Sequence, residues 1–294
     1  MSTSYHVAVI GLGAMGMGAA RSCLRAGLTT YGIDLSEQAR SQLQQAGAAA
    51  VMADARPLAE TLDAVLLLVV NAAQVRRILF GEEELARHLK PGTAIMVSST
   101  IAAEEASALA AELAQLGLPM LDAPVSGGAI KADAGEMTVM AAGADAAFDK
   151  LAPVLDAVAG KLYRVGSEPG QGSTVKIIHQ LLAGVHIAVA AEAMALASKA
   201  GVSLDLMYDV VTHAAGNSWM FENRMPRVLT GDYQARSAVD IFVKDLTLVA
   251  DTAKALRFPL PLASTALNMF LSASNAGHGQ EDDSAVIKIF SGIQ

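Results

Sequence analysis

The run VKIIHQLLAG, residues 175–184, sets Lys176 and His179 one helical turn apart in an otherwise apolar segment. An ammonium is costly to bury, so a lysine there needs either compensation or a task. One task fits its chemistry. When hydride leaves a carbinol carbon, the hydroxyl proton must pass to a base. A lysine whose pKa is lowered toward neutrality by desolvation can take that proton. Residues i and i+3 share a helix face, so His179 can reach the same ligand. Its ring offers both a donor and an acceptor, which suits vicinal hydroxyls. A lone histidine on an apolar helix is more often a core residue; Lys176 beside it favours a substrate contact.

A second constellation, VIGLGAMG, places Gly11, Gly13 and Gly16 as G-x-G-x-x-G directly after a strand-like run and at the opening of a helix. Gly11 permits the tight turn and Gly13 lets backbone approach a pyrophosphate. Gly16 allows close helix–strand packing, with the helix N-terminus facing the anion. Met15, inside this loop, is expected to touch the dinucleotide, and Met17 to pack in the core. Asp34 closes the second strand-like run 18 residues after Gly16, where a carboxylate accepts bonds from an adenosine ribose. An acid there repels a 2′-phosphate, and DLSEQAR has no arginine immediately after it. NAD is therefore expected over NADP. The triplet Ser126-Gly127-Gly128 can present a hydroxyl and backbone N–H groups in a concave nest that suits a carboxylate.

The elements that must position these groups follow from the hydrophobic pattern. YHVAVI, TTYGID, AVLLLVV (64–70) and TAIMVSS (93–99) read as strands, the later ones buried on both faces. Between and after them AMGMGAARSCLRAG, AAQVRRIL, EEELARHL and AEEASALAAELAQLG read as helices. This alternation predicts an α/β domain with a Rossmann-type doubly wound sheet over residues 1–168. After KLYRVG the strand signal stops, and residues 169–294 read as an all-α domain joined to the first by one long helix. The Pro259 and Pro261 pair breaks the last two helices apart.

Composition excludes several classes. The 294 residues are 53% hydrophobic and 17% charged, with a formal net charge of −8 and no basic run, which argues against a nucleic-acid surface. Cys23 is alone, so no disulfide framework forms within one chain. The N-terminus has no positive region before its apolar run and is not expected to be a signal peptide. Segment 181–197 is apolar but short for a span and carries His186 and Glu192, so no membrane partner is expected. These features predict a cytoplasmic protein whose apolar helical domain suggests a homodimer or homotetramer. The remaining histidines have no metal-ligand spacing, and no metal is expected.

GLGAMGMGAA together with DAPVSGGAIKADAGEMTVMAAG (122–143) resembles the β-hydroxyacid dehydrogenase family, and GQGSTVKIIHQ and KDLTLVADTAKALRFPLPL extend the likeness over nearly the whole chain. The resemblance implies that Lys176 is the catalytic residue and that Ser126, Gly127 and Gly128 hold the substrate's acid group. It also implies cofactor contacts from backbone around Val69 and Val70, from Thr100, and from Lys244, with Asp245 orienting Lys244. Many members carry Leu-Pro where this chain has Val69-Val70. Most members carry Asn where His179 stands. The more distant 6-phosphogluconate dehydrogenases place His three residues after their lysine and a Glu seven after it, where this chain has Ala183. The reading that results is NAD-dependent oxidation of a small sugar acid, L-threonate foremost, without decarboxylation. A 3-hydroxyisobutyrate dehydrogenase or tartronate semialdehyde reductase is the enzymatic alternative, and a non-enzymatic dinucleotide-binding protein the alternative of another class. Asp282 and Asp283 read as a helix start or surface charge. Trp219, Phe221 and Asn223 read as packing of the helical domain rather than cleft lining.

Overall fold

The computed structural model describes residues 4–82 and 84–291. The chain divides into two compact units between Lys176 and Ile177. In the first unit β1 (His6–Ile10), β2 (Thr29–Ile33), β3 (Ala50–Met52), β4 (Ala64–Leu67), β5 (Ala94–Val97) and β6 (Met120–Asp122) are parallel neighbours in the order β3-β2-β1-β4-β5-β6. This is the doubly wound dinucleotide-binding order, with its switch point between β1 and β4. Three further strands, β7 (Val125–Ser126), β8 (Met137–Ala142) and β9 (Ala159–Gly166), extend the sheet: β8 runs antiparallel to β6 and β7, and β9 parallel to β8.

Residues of β1 show why these strands are continuously apolar. Val7 and Val9 belong to one core layer and Ala8 and Ile10 to the other, because alternate side chains face opposite sides of the sheet. The layers are covered by α1 (Ala14–Arg25), α2 (Glu37–Gln45), α3 (Ala72–Phe80), α4 (Leu85–His88), α5 (Ala103–Gln115), α6 (Gly128–Ala134) and α7 (Asp145–Val158). Cys23 is fully buried on α1, where burial pushes its thiol up to about 12, so it is packing and not a nucleophile.

Two expected elements are shorter than their patterns. The run at 64–70 ends as a strand at Leu67, because the chain turns to let the Asn71 side chain cap α3 through the Gln74 N–H at 2.9 Å. Glu83 of EEELARHL lies outside the described residues; of the rest, Leu85–His88 form the single turn of α4, which starts after Glu84 in a left-handed conformation at φ 42°.

The second unit is helical: α8 (Gln171–Lys199, which begins in the first unit and links the two), α9 (Leu204–Thr212), α10 (Trp219–Thr230), α11 (Val239–Ala255) and α12 (Pro261–Ala273). Among the described residues one helix, α8, is long and apolar enough to cross a membrane, but Ile177, Ile187, Ala191 and Met194 on it are buried in the core of the second unit with Phe221, Phe242 and Phe270. The aromatic residues of α10 divide: Phe221 is buried, whereas Trp219 is exposed, which corrects the packing role expected of it.

Asp282 and Asp283 correct the surface-charge reading. Both are fully buried; Asp283 accepts from Arg224 Nε at 2.6 Å and Nη2 at 2.9 Å, and Asp282 from Arg227 Nη1 at 2.6 Å. Asp282 also caps a short turn through the Ser284 N–H, so the helix-start half of the expectation holds. Burial pushes Asp283 above the usual carboxylate range. For Asp282 burial acts the same way, but the bonds from Arg227 and Ser284 outweigh it and hold the group low. Removing one partner of a buried ion pair strands the other, at a cost of about 3–5 kcal/mol. Arg224→Ala is expected to lower the urea-unfolding free energy by about that amount; an unchanged midpoint contradicts this account of the pairs.

Candidate active site

The glycine loop connects β1 to α1. Gly11 has φ +90°, and a Cβ on it would lie 2.8 Å from the Leu68 carbonyl oxygen and 3.0 Å from Val69 Cγ1. A Cβ on Gly16 would lie 1.7 Å from the Gly11 carbonyl oxygen, so no other residue fits there. At Gly13, the N-cap of α1, no described atom lies within 4 Å of a Cβ position, which leaves backbone accessible at a helix N-terminus. That cradle fits a pyrophosphate.

Asp34 follows β2 beside this loop. Its Oδ2 accepts the Leu12 N–H at 2.6 Å and its Oδ1 the Ser36 N–H at 2.7 Å. The carboxylate thus braces the loop while remaining partly exposed, and each oxygen retains lone-pair capacity for a ribose hydroxyl. Arg40 donates to the Asp34 carbonyl at 2.6 Å and to the Leu35 carbonyl at 2.9 Å.

Past the end of β4, Val69 packs under Gly11 beside the core layer, while Val70 is exposed and its N–H donates to Gln74 Oε1 at 2.7 Å. Met15 is partly buried against the core, Met17 is buried, and Thr100 stands three residues past β5.

Ser126 ends β7, and Gly127 (φ +135°) and Gly128 (φ +71°) turn the chain into α6. Both glycines hold backbone conformations that L side chains rarely adopt. Helix α6 rests on α1: Ser22 Oγ donates to the Ala132 carbonyl at 3.0 Å, Arg25 donates to the Asp133 carbonyl, and a Cβ on Gly18 would lie 2.5 Å from Asp133 N. The pyrophosphate loop and the Ser-Gly-Gly turn therefore sit on two helices in backbone contact. Gly18 does not stand out in the sequence; its position two residues past Gly16 is the available signal.

Lys176 lies on the second turn of α8 and is 6% exposed. The first turn is held by Asp122, fully buried at the end of β6. Asp122 Oδ2 accepts the N–H groups of Gly170 and Ser173, each at 2.8 Å, and Oδ1 accepts Ser173 Oγ–H at 2.7 Å. Burial pushes Asp122 above the usual carboxylate range, against the pull of these donors.

Within the second unit a chain of polar contacts runs through buried side chains. Gln180 Nε2 donates to Asp245 Oδ2 at 2.6 Å, and Lys244 Nζ donates to Asp245 Oδ1 at 2.5 Å. Gly184 lies against the partner helix nearby: a Cβ there would lie 2.8 Å from Leu246 Cδ2, so a larger residue would require that side chain to shift. Since the Gln180 amide nitrogen faces Asp245, its Oε1 faces His179 Nδ1 at 2.9 Å. An amide oxygen only accepts, so Nδ1 carries the proton and, in the neutral ring, Nε2 is the acceptor nitrogen. The Lys244–Asp245 pair matches the expected orienting contact. Sequence reasoning misses Gln180, because its partner Asp245 is distant along the chain. Asp122 and Ser173 are visible there only as members of longer motifs. Among the described residues no group of three or more His, Cys, Asp or Glu is placed to hold a metal.

Comparison with known proteins identifies the family. Residues 6–166 match the family model for the NAD binding domain of 6-phosphogluconate dehydrogenase. Residues 170–290 match that for the NAD-binding domain of NADP-dependent 3-hydroxyisobutyrate dehydrogenase. An L-threonate dehydrogenase of Escherichia coli is 72% identical over 291 residues, covering 99% of this chain and 96% of its own. One of Cupriavidus necator is 55% identical, covering 99% and 98%. A crystal structure of a 3-hydroxyisobutyrate dehydrogenase from Salmonella typhimurium superposes with a TM-score of 0.94 at 70% identity, covering 98% of this chain and 100% of that one. The chain belongs to the β-hydroxyacid dehydrogenase family, and it is an NAD-dependent oxidoreductase acting on the CH–OH group of a hydroxyacid.

Gly18→Ala tests the coupling of α1 to α6. Pushing the helices apart is expected to weaken NAD binding by titration and to raise the KM of the acid substrate, each severalfold, in a protein that remains folded by circular dichroism. Parent-like values for both would show that α6 moves without consequence.

Proposed function

We propose that the chain oxidises L-threonate to 2-dehydro-L-erythronate, with Lys176 as the general base. The observation that carries this reading is a lysine buried on α8 three residues before a histidine held in one tautomer, in a chain 72% identical to a protein named L-threonate dehydrogenase. NAD, when bound, supplies the hydride acceptor. The chain's own residues do the rest. Ser126, Gly127 and Gly128 hold the substrate carboxylate through hydroxyl and backbone N–H groups. Neutral Lys176 receives the proton of the hydroxyl at the carbon that loses hydride, and the ammonium so formed returns it in the reverse direction. His179 Nε2 accepts from a neighbouring hydroxyl of the polyol chain. Lys244, held by Asp245, and Thr100 contact the cofactor, while Gly11, Gly13, Met15, Gly16, Asp34 and backbone at Val69 line it.

One observation favours a second reading: the Salmonella neighbour, at 70% identity, bears the name 3-hydroxyisobutyrate dehydrogenase. The substrates differ in their hydroxyls, since 3-hydroxyisobutyrate has none beside the one oxidised. His179, one turn from Lys176, offers a donor and an acceptor suited to the extra hydroxyls of the sugar acid, and the 72% identity to a protein named L-threonate dehydrogenase supports that choice.

Side-by-side assays of L-threonate and 3-hydroxyisobutyrate with NAD, followed by absorbance of the reduced cofactor, test the choice. L-threonate is expected to have the higher kcat/KM; preference for 3-hydroxyisobutyrate would overturn it. His179→Asn should keep NAD affinity and lower kcat/KM for L-threonate by about 5- to 150-fold, the worth of ~1–3 kcal/mol for a lost polar partner. An unchanged substrate profile would make His179 a core residue. NAD is expected to support turnover far better than NADP, with Asp34→Ala narrowing the gap; equal efficiency of the two in the parent protein would refute the ribose assignment.

A further inference from the structure

We propose that Asp122 is a positioning residue that sets Lys176 relative to the Ser-Gly-Gly turn, an inference that rests on the reading of Lys176 as base. Three independent observations meet at this side chain.

The first is the strand that carries it. Asp122 pairs with Ala142, Val125 with Val139 and Ser126 with Thr138, and the Met140 N–H donates to the Pro124 carbonyl at 3.0 Å between them. The register is unbroken, so β6 and β7 form one extended run opposite β8. Residues i and i+4 of an extended run lie on one face, about 13 Å apart. Asp122 and Ser126 are therefore fixed points of one rigid ruler.

The second is the helix it grips. The opening turn of a helix leaves backbone N–H groups without intrahelical partners. Asp122 satisfies two of these, from Gly170 and Ser173, and binds the Ser173 hydroxyl with its other oxygen. The carboxylate also faces the positive end of the α8 dipole. Ser173 precedes Lys176 by three residues, so the gripped residue lies beneath the lysine on one helix face.

The third is the absence of slack. A Cβ on Gly172 would lie 2.4 Å from the Asp122 carbonyl oxygen and 2.7 Å from that of Met140, so the first turn rests directly on the strands. A Cβ on Gly170 would lie 2.6 Å from Ser107 Oγ, and Ser107 Oγ donates to the Pro169 carbonyl at 2.8 Å. Helix α5 thus closes the other side. With the backbone in contact and the carboxylate bridging strand and helix, Lys176 keeps one height above the strand that ends in the acid-binding turn.

Catalysis by a positioned base is steep in geometry: a displacement of about 1 Å costs on the order of 100-fold. A helix cap that served stability alone would not change turnover of the folded enzyme. The test compares Asp122→Ala, Asp122→Asn and Ser173→Ala, with Lys176→Ala beside them, using L-threonate and NAD. An asparagine oxygen can still accept both N–H groups, while its NH2 donates to a Ser173 hydroxyl that turns to accept. We expect Asp122→Ala to lower kcat by at least about tenfold, with KM and the NAD dissociation constant each within about twofold of the parent. Asp122→Asn should recover kcat to within about threefold, and Ser173→Ala should fall between the two. Should Asp122→Ala not fold, the order of parent, Asn and Ser173→Ala still decides. Parent-like kcat in Ser173→Ala and in folded Asp122→Ala, or loss of NAD affinity in step with kcat, would overturn the proposal. If Lys176→Ala itself keeps parent turnover, the base assignment has failed and the proposal with it. If Lys176→Ala loses turnover while the Asp122 variants do not, only the proposal falls.

Discussion

Helix α8 begins in the first unit with Gly170, Gly172 and Ser173 buried, so the N–H groups of Gly170 and Ser173 need acceptors from the protein. Unpaired buried donors are costly, and so is a buried carboxylate; each is tolerable there because the other answers it. Asp122 and the first turn of α8 form that exchange, with bonds of 2.7–2.8 Å to Gly170 and Ser173. Gly172 is required by the same closeness, since its Cβ position is filled by two carbonyl oxygens. The lysine one turn later inherits its location from these contacts. An apolar helix could be packed against the sheet in several registers; one carboxylate with directional partners permits few.

The second unit handles buried polarity differently. Arg224 with Asp283 and Arg227 with Asp282 tie α10 to the segment after α12. Lys244, Asp245, Gln180 and His179 form a line from an ion pair to an imidazole. Each member fixes the orientation of the next, because a carboxylate only accepts and an amide has one donating and one accepting end. The result is a histidine whose tautomer is assigned two residues away, by Asp245 through Gln180. Replacement of the family's common Asn by His at 179 thus arrives with a partner that defines which nitrogen accepts.

The glycine loop and Asp34 were legible in the sequence because their requirements are local: a turn, a close backbone approach and a carboxylate at a strand end recur at fixed spacing. Alternating strands and helices were legible for the same reason, since β1 and β4 are apolar on both faces. Lys176 stood out as a charge in an apolar run. The rest depended on partners far away in sequence. Asp282 and Asp283 read as surface charge because their arginines lie 55 and 59 residues upstream. Gln180 looks like an ordinary polar helix residue until Asp245, 65 positions later, is placed beside it. Gly18 carries no motif of its own, and only the docking of α6 shows why a side chain is excluded there.

The central claim is that Lys176 accepts the proton, and the pH dependence of oxidative turnover in the parent and in Lys176→Arg tests it most directly. A general base must be unprotonated to work, so parent kcat is expected to rise with pH through an inflection. The arginine variant keeps the charge but cannot give up its proton, and general bases contribute on the order of 10²–10⁴-fold. It is expected to fold, to bind NAD with near-parent affinity, and to lose that factor together with the inflection. A folded Lys176→Arg enzyme with near-parent turnover and the same pH profile would contradict the claim, leaving Lys176 as an anchor for substrate and the base to another group.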